Sequence, residues 1–361
     1  MDNNITLQEL RVQIDSTDSQ IYQLIKKRAE LAKVVGEVKL ANNDNAFYKP
    51  EREAQVLRNI ISKNDSLLRD KDIAYIFRQI MSACLALEKP LNIAYLGPEG
   101  TWTGEAAIKH FGSGVSIQDC FSIDDVFNQI EKNNANYGVV PIENSNNGTI
   151  TATVNLLYHH NLKICGEVEI RIKHQLLAKE LDCTNIKKIV AHQQALDQCR
   201  KYLKNNYPNI EQHAVSSNAA AAKIASGDNE IAAIASINAG EIYNLQVLNK
   251  NIEDSENNTT RFLVIGFDEV GNSNNDKTTI LITAKHKPGM LYDILTPFEK
   301  MGVNLLKVDS YPKPDGKKWQ YLFLIDFNGH ILDAKVKEVL NRLDELPIEI
   351  KILGSYPLAP I

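Results

Sequence analysis

An acid, an amide and a hydroxyl stand together at Glu143-Asn144-Ser145. The residues just before them, from Val139 to Ile142, are apolar apart from the interruption at Pro141, and they predict a short buried strand. Polar loops at the carboxyl ends of buried strands are where open α/β sheets bind ligands. The cluster offers hydrogen-bonding groups but no nucleophile–base pair, so the pattern alone favours a turn with a capped helix behind it.

Two further segments carry groups that could do chemistry. The loop Gly97–Thr103 joins a predicted strand to a predicted helix, where backbone N–H groups can face an anion, although a tight connection has the same composition. The triplet Thr260-Arg261-Phe262 offers a hydroxyl that can act as a weak acid. Its guanidinium can hold a carboxylate, with structural pairing as the alternative.

Basic residues also lie along the N-terminal segment, at Arg11, Arg28 and Lys39. Considered alone, they are typical of a solvated helix face laced with ion pairs. At 1.5 Å per residue, Arg11 and Arg28 are roughly 25 Å apart along a helix, which is too far to hold one small dicarboxylate. Arg11 would therefore reach such a ligand only from a second chain. Arg28 and Lys39 are separated by close to three turns and share a face.

The first segment of the chain, residues 5–88, has helical periodicity. It predicts one helix of more than thirty residues that breaks at Asn42–Asn45, a second that begins at Pro50, and a third from about Asp70 to Glu88. So long a helix predicts a bundle that a second chain completes.

From Asn92 onward, short strands alternate with helices, which predicts a mainly parallel α/β segment of two lobes with a cleft between them. The predicted strands are 92–96, 115–117, 137–140, 188–191, 231–235 and 262–265, and the predicted helices include 124–131, 196–203 and 219–225. Ser122 and Asp125 form a predicted capping box. After a linker at 271–276, the order β-α-β-β-α-β is ferredoxin-like, with elements at 278–284, 291–300, 304–310, 318–327, 334–343 and 348–353.

Composition, net charge and cysteine spacing indicate which general class of protein this chain belongs to. The 361 residues are 43% apolar and 24% charged, which is typical of a globular protein of two or three domains. A net charge of −5 favours neither nucleic acid nor membrane as a partner. The N-terminus shows no signal pattern, and no apolar run has the length of a membrane span. The five cysteines show no CxxC spacing, so we expect a reduced, cytoplasmic setting.

The motifs resemble those of bifunctional chorismate mutase–prephenate dehydratases. Val139–Asn144 is similar to the dehydratase signature Val-Val-Pro-Ile-Glu-Asn, Gly97–Thr103 to Gly-Pro-x-Gly-Thr-Phe-Thr with Trp102 for Phe, and Thr260–Phe262 to Thr-Arg-Phe. The resemblance implies an all-α mutase-type domain (1–90), a two-lobed α/β dehydratase domain (91–271) and an α+β, ferredoxin-like ACT domain (277–361). It implies a homodimer or a higher homo-oligomer, with neither cofactor nor metal.

The mutase part of the resemblance rests on Leu10-Arg11, Lys27–Ala32, Val38-Lys39 and Arg52-Glu53. It implies that cationic residues bind the carboxylates and the ether oxygen of chorismate during a pericyclic rearrangement, which needs no nucleophile. Glu88 would donate to the ether oxygen only if protonated. The residues implied for this site are Arg11, Arg28, Lys39, Lys49, Arg52, Glu53, Cys84 and Glu88, of which Lys49, Cys84 and Glu88 depart from the commonest residue types.

The dehydratase part implies that Thr260 carries the dehydration of prephenate to phenylpyruvate. His192 is as consistent with a structural role, because Gln193 follows it where the family often has proline. The other residues implied for the cleft are Thr101, Glu143, Asn144, Ser145, His192, Gln198, Ser217, Asn218 and Arg261.

Two C-terminal segments, Pro288–Leu291 and Asp309–Pro312, resemble the Gly-Ala-Leu and Glu-Ser-Arg-Pro motifs of amino-acid-binding ACT domains. They imply feedback inhibition by phenylalanine, with Gly289, Met290, Leu291, Asp309 and Ser310 as the effector site. Two alternatives stay open: an arogenate dehydratase, and a non-catalytic amino-acid-sensing protein whose sites have decayed.

Overall fold

The structure, a computed structural model, describes residues 6–42, 48–182, 184–285, 287–313 and 320–359. The N-terminal part is helical, as predicted, and consists of α1 (Leu7–Ala41), α2 (Pro50–Ile61) and α3 (Asp70–Glu88). A capping box between Thr6 and Glu9 starts α1. Most of the predicted break after α1, residues 43–45, lies outside the described residues.

Helix α1 packs little of its surface against its own chain. Ala32 and Gly36 are its buried residues, and Gly36 lies so close to α3 that an added Cβ would be 3.0 Å from the Cα of Glu88. Large apolar side chains are exposed along the rest of the helix, namely Leu7, Leu10, Val12, Ile14, Ile21, Leu24, Ile25, Leu31, Val34, Val35, Val38 and Leu40. A helix face this apolar needs a further partner.

The middle of the chain forms two lobes, each built on a sheet. The strands are β1 (Asn92–Leu96), β2 (Ser116–Cys120), β3 (Tyr137–Asn144), β4 (Gly148–Thr149), β5 (Lys163–Arg171), β6 (Gln175–Ala178), β7 (Lys188–His192), β8 (Glu211–Val215), β9 (Ile231–Ala235), β10 (Gln246–Asn249) and β11 (Thr259–Gly266). The helices are α4 (Trp102–Phe111), α5 (Ile123–Glu131), α6 (Thr151–His159), α7 (Gln193–Gln198), α8 (Arg200–Asn206), α9 (Asn218–Gly227) and α10 (Ile237–Ile242).

The expectation of a mainly parallel segment was wrong, because both sheets are mixed. The first has the order β2-β1-β3-β11-β5, in which β11 runs antiparallel to both neighbours, and β4 pairs with β3. The second has the order β10-β6-β9-β7-β8, with β6 antiparallel to β9. Strands β4, β5, β6, β8 and β10 were not predicted. The chain passes between the lobes after β5 and again before β11.

The C-terminal part has the predicted ferredoxin-like order. It consists of β12 (Asp276–Lys285), α11 (Met290–Met301), β13 (Leu305–Pro312), β14 (Gln320–Asn328), α12 (Ala334–Asp344) and β15 (Ile348–Pro357). The strands form the antiparallel sheet β13-β14-β12-β15. Leu281, Leu324 and Tyr356 of this sheet share one buried cluster with Val140 and Leu263 of the first lobe, so the C-terminal domain docks through a continuous core.

One local detail confirms a prediction from the sequence. Ser122 and Asp125 form the predicted capping box at the start of α5. Cys84, Cys120, Cys165 and Cys199 are buried free thiols. Across the part of the chain that the structure describes, no helix has both the length and the apolar character needed to cross a membrane.

Candidate active sites

The first candidate site lies where α1 and α3 pack together. Lys39 Nζ is 3.0 Å from Glu88 Oε2, and both side chains are mostly buried. Arg28, on the same face of α1, donates through Nη1 to the carbonyl oxygen of Ile80 at 3.5 Å. Cys84 is buried one turn before Glu88 on α3. The structure therefore brings Lys39 and Glu88, two of the residues implied for the mutase site, into direct contact.

The other residues predicted for this site have different surroundings. Arg11 and Arg52 are exposed, and Lys49 precedes the first turn of α2. Glu53 lies 3.4 Å from the Nε atom of Arg78, and burial raises the pKa of Glu53 to about 7 despite this guanidinium. The pair lines a cavity of about 530 Å³ between the helices and the first lobe. Glu53 thus contacts Arg78 instead of the Lys39–Glu88 pair.

The second candidate site is a cavity of about 250 Å³ between the two lobes. The loop before α4 contributes one wall, and Gly100 there has φ +87° and packs against Ala239 of the other lobe. Among the described residues that line the cavity, none is a lysine, an arginine or a carboxylate. The polar side chains of the wall are Thr101, Trp102, Thr103, Asn144, His174, His192, Gln194, Gln198, Ser216, Ser217, Asn218, Ser236, Asn258 and Thr260.

Thr260 and Asn144 face each other across the strand pair β3 and β11. Asn144 Nδ2 donates to Thr260 Oγ1 at 2.8 Å and also to Asn258 Oδ1 at 2.9 Å. Thr260 Oγ1 has no acceptor for its own proton among the described residues, so this hydroxyl is free to donate to a group in the cavity.

A second row of buried polar groups continues from Asn258, which donates to Gln198 Oε1 at 3.1 Å. His174 Nε2 lies 2.9 Å from the same oxygen. Burial lowers the pKa of His174, so its ring is neutral. Within the described chain, His174 Nδ1 and Gln198 Nε2 are buried without hydrogen-bond partners, which leaves an acceptor and a donor for a ligand.

Helices from opposite lobes begin at this cavity. Thr101 caps α4, and Ser217 Oγ accepts from the N–H of Ala220 to cap α9. Asn218 Oδ1 accepts from the N–H of His192, and His192 in turn caps α7. The N-terminal ends of α4 and α9 give the cavity two positively polarised walls without a formal cation.

Comparison with known proteins assigns the chain. Family models match in order: chorismate mutase type II over residues 10–89, prephenate dehydratase over 93–270 and ACT domain over 278–345. The bifunctional chorismate mutase/prephenate dehydratase of Pseudomonas aeruginosa is 45% identical over 358 residues, 98% of each chain. The chain belongs to this bifunctional family. It is an enzyme that carries a chorismate mutase domain and a prephenate dehydratase domain.

More distant relatives agree with the assignment. The Escherichia coli (strain K12) bifunctional chorismate mutase/prephenate dehydratase is 31% identical over 373 residues, 96% of this chain and 95% of that protein. The crystal structure of a prephenate dehydratase from Arthrobacter aurescens in complex with L-Phe has a TM-score of 0.68 and 30% identity, and covers 74% of this chain and 90% of that one.

Three residues predicted for the dehydratase cleft do not line it. Glu143 and Arg261 point to the opposite face of the strand pair, where Arg261 Nη2 is 3.3 Å from Glu143 Oε2. Ser145 Oγ accepts from the N–H of Thr259 at 3.0 Å and fixes the ends of the two strands. Conversely, sequence reasoning missed His174 and Asn258. Asn258 could have been found, because it lies two residues before Thr260 and shares its face of the strand.

The residues predicted as the effector site lie on two elements of the ACT domain. Gly289 has φ +83° and precedes α11, which begins at Met290, and Leu291 is exposed. Along β13, Ser310 is exposed, as are the apolar side chains of Leu306 and Val308. Asp309 points the other way, toward the dehydratase domain, and accepts from Thr149 Oγ1 at 2.6 Å.

Proposed function

We propose that the enzyme converts chorismate to prephenate beside Lys39 and Glu88, converts prephenate to phenylpyruvate in the two-lobed cleft, and is inhibited by phenylalanine through its ACT domain. The observation that carries the proposal for the cleft is the contact between Asn144 and Thr260. It holds the Thr260 oxygen as an acceptor, so that its proton is available to the substrate.

Dehydration needs only a weak acid, because prephenate loses its ring hydroxyl and carbon dioxide together and becomes aromatic. Thr260 donates a proton to the departing hydroxyl, which leaves as water. The two carboxylates of prephenate match the N-terminal ends of α4 and α9, which face the cleft from opposite lobes. Gln198 Nε2 supplies a further donor.

The residues that line the cleft also bear on whether the substrate is prephenate or arogenate. Arogenate carries an ammonium group where prephenate carries a keto oxygen, and burying an ammonium is costly unless an anion is paired with it. The cleft wall, within the described residues, contains no Asp or Glu. The neutral wall therefore favours prephenate. The Lys39–Glu88 pair and the oriented Thr260 hydroxyl argue against a decayed amino-acid sensor, which needs neither.

The mutase site is proposed to be shared between two chains. Lys39 binds the ether oxygen and Arg28 a carboxylate, while Arg11 comes from the partner, because it lies too far along α1 to join them. The exposed apolar face of α1 supports a homodimer through this helix. The buried free thiols support a reduced, cytoplasmic setting.

Feedback by phenylalanine is proposed because a relative of this fold binds L-Phe and because β13 exposes Leu306 and Val308 at the edge of the ACT sheet. A second ACT domain that covers this edge would complete the pocket near Gly289, Met290, Leu291 and Ser310. Inhibition then requires phenylalanine to prefer a less active conformation.

The decisive experiment compares Thr260→Ala with Thr260→Ser. The alanine variant should lose roughly 10²-fold or more in prephenate turnover, the usual size of a lost acid–base contribution, and the serine variant should retain more. Chorismate turnover, measured on the same preparations, shows that the protein is folded. An alanine variant as active as the parent would overturn the assignment of Thr260.

A further inference from the structure

The strand pair β3 and β11 has a different chemistry on each face. Thr260 lies directly opposite Asn144, and the next residues in the two strands, Arg261 and Glu143, also lie opposite each other. Because side chains alternate along a strand, the first pair faces the cleft and the second faces the ACT domain. One pair of strands therefore carries the acid of the reaction on one side and a partly buried ion pair on the other.

Arg261 is the centre of a network that crosses the domain boundary. Its Nη1 atom is 2.6 Å from Asp326 Oδ2 of the ACT domain and 3.3 Å from Glu167 Oε2 of β5. Lys277 Nζ of the ACT domain lies 2.7 Å from the other oxygen of Glu167. Each of these four side chains is at least nine-tenths shielded from solvent. A change in the position of Asp326 or Lys277 would thus remove one partner from a buried charge.

The neighbouring carboxylates keep the Arg261 side chain positively charged. Burial by itself lowers the pKa of the guanidinium, but the carboxylates of Asp326 and Glu167 outweigh burial and raise the pKa of Arg261 above its ordinary value. The planar guanidinium contacts Glu143 through Nη2 and Asp326 through Nη1. Because these two nitrogens have a fixed geometry, the guanidinium fixes the position of Glu143 in the dehydratase domain relative to Asp326 in the ACT domain.

A second branch reaches the edge strand of the ACT domain. Lys307 Nζ lies 2.6 Å from Glu143 Oε2 and 3.0 Å from Asp309 Oδ2, and it donates to Thr149 Oγ1 at 2.8 Å. Thr149 in turn donates to Asp309 at 2.6 Å. Asp309 directly precedes Ser310, which is exposed on the other face of β13. A displacement of β13 would therefore move Lys307 and change its contact with Glu143.

We propose that Arg261 and Glu143 are positioning residues, which hold Thr260 against Asn144 from the rear of the strand pair, and that Lys307, Thr149 and Asp309 couple this strand pair to the ACT domain. The inference rests on the proposed function, since it takes Thr260 as the acid and phenylalanine as the effector. It differs from direct binding of the substrate by Glu143 or Arg261, which the sequence had predicted.

Local backbone geometry explains why the rear contacts matter. The pairing of β3 with β11 shifts register immediately after Arg261 and Glu143, so that Ile142 is left out of the ladder. A bulge bends the strand and sets the direction of the neighbouring side chains. Because ladder pairing is interrupted beside the catalytic pair, the side-chain contacts behind it fix the orientation of Thr260 relative to Asn144.

The first test separates positioning from binding. Arg261→Lys keeps the charge but loses the fork, so kcat for prephenate should fall about tenfold or more while KM changes less than about threefold. Glu143→Gln, which keeps the shape of the side chain, should act in the same direction. Mutase activity in the same preparations reports folding. A raised KM with unchanged kcat would mean direct binding and would overturn the proposal, as would unchanged kinetics in both variants.

The second test concerns coupling to the ACT domain. Thr149→Val removes one hydroxyl with little change in shape, and should leave uninhibited dehydratase activity within about twofold of the parent. At saturating phenylalanine its residual activity should be about fivefold or more above that of the parent, the lower end of usual coupling between sites. Lys307→Met should show the same relief of inhibition. Calorimetry should show that both variants still bind phenylalanine.

Lys351→Met is the matched control for this test. Lys351 Nζ donates to the carbonyl oxygens of Leu157, Tyr158 and His160, so it also joins the ACT domain to the first lobe, but outside the network. Phenylalanine should inhibit the Lys351→Met variant as strongly as it inhibits the parent. Relief in Lys351→Met equal to that in Thr149→Val would overturn the specific coupling. A parent that phenylalanine does not inhibit would overturn the proposed regulation and the coupling together, whereas an inhibited parent with an equally inhibited Thr149→Val variant would overturn the coupling alone.

Discussion

The Tyr48 hydroxyl and His110 Nε2 lie 2.9 Å apart and join the mutase helices to the first dehydratase lobe. Tyr48 also packs against the rings of Phe111 and Tyr137. Burial lowers the pKa of His110 to about 3, so the ring stays neutral over the physiological range. The contact between the two catalytic domains thus depends on an uncharged histidine.

The first prediction concerns acid stability. Between pH 6.5 and 3 only the unfolded chain protonates His110, so the free energy of unfolding should fall as the pH is lowered through this window. The loss amounts to roughly 1.4 kcal/mol per pH unit. Thermal denaturation from pH 7 to 4.5 should show a shallower decline for His110→Gln than for the parent. The exposed His159→Gln is the control, and equal slopes in parent and His110→Gln would contradict the prediction.

The mutase and dehydratase sites should be separable. Arg28→Ala removes a cation from the α1–α3 site and should abolish conversion of chorismate. Dehydration of supplied prephenate should stay within about twofold of the parent, because the cleft is lined by residues of the dehydratase domain alone. Lys33→Ala, which removes an exposed cation from the same helix, should spare both activities. Loss of both activities in a folded Arg28→Ala variant would refute the separation.

Glu88 provides a third prediction. A neutral amide at this position can donate to the ether oxygen and keeps the shape of the side chain, so Glu88→Gln should retain mutase activity, whereas Glu88→Ala should lose roughly 10²-fold or more. The amide oxygen of the variant can still accept from Lys39, which is 3.0 Å away in the parent. A Glu88→Gln variant as inactive as Glu88→Ala would count against a donor role for Glu88.

The fourth prediction concerns the spacing of α1 and α3. Gly36→Ala places a methyl group about 3.0 Å from the Cα of Glu88, so the helices must separate, at a cost of roughly 1–3 kcal/mol. Mutase activity should also fall, because Lys39 lies one turn farther along α1 and would move away from Glu88. Dehydratase activity should persist. Gly227→Ala, where the added group meets open space, should leave stability and both activities unchanged. A fully active Gly36→Ala variant would show that the spacing is not critical.

Sequence patterns predicted the architectures of the three domains because hydrophobic periodicity and the order of helices and strands can be read from local sequence. They failed for β5, where Glu167 and Glu169 give the strand the appearance of an exposed segment. Glu167 is in fact buried, and its charge is paired with Lys277 more than a hundred residues away. Such a pairing has no local signature, and neither periodicity nor composition can report it.

The same limit applied to the dehydratase site. Thr260 and Asn144 were found because they belong to motifs, but Glu143 and Arg261 were placed in the cleft although strand alternation turns them away from it. The ACT domain shares a core and a buried ion network with the first lobe. Deleting it would remove Asp326 and Lys277 from this network and expose the shared core, so point variants are the sounder probes of regulation.

The length of α1 has a genetic consequence. If Arg11 serves the site of the partner chain, two defective alleles can complement each other: one encoding Arg11→Ala and the other Arg28→Ala. A mixed dimer of these chains holds one site with both defects and one with neither. Random assembly of equal amounts would restore about a quarter of the sites. A cell that carries both alleles would regain the mutase reaction that each allele alone has lost.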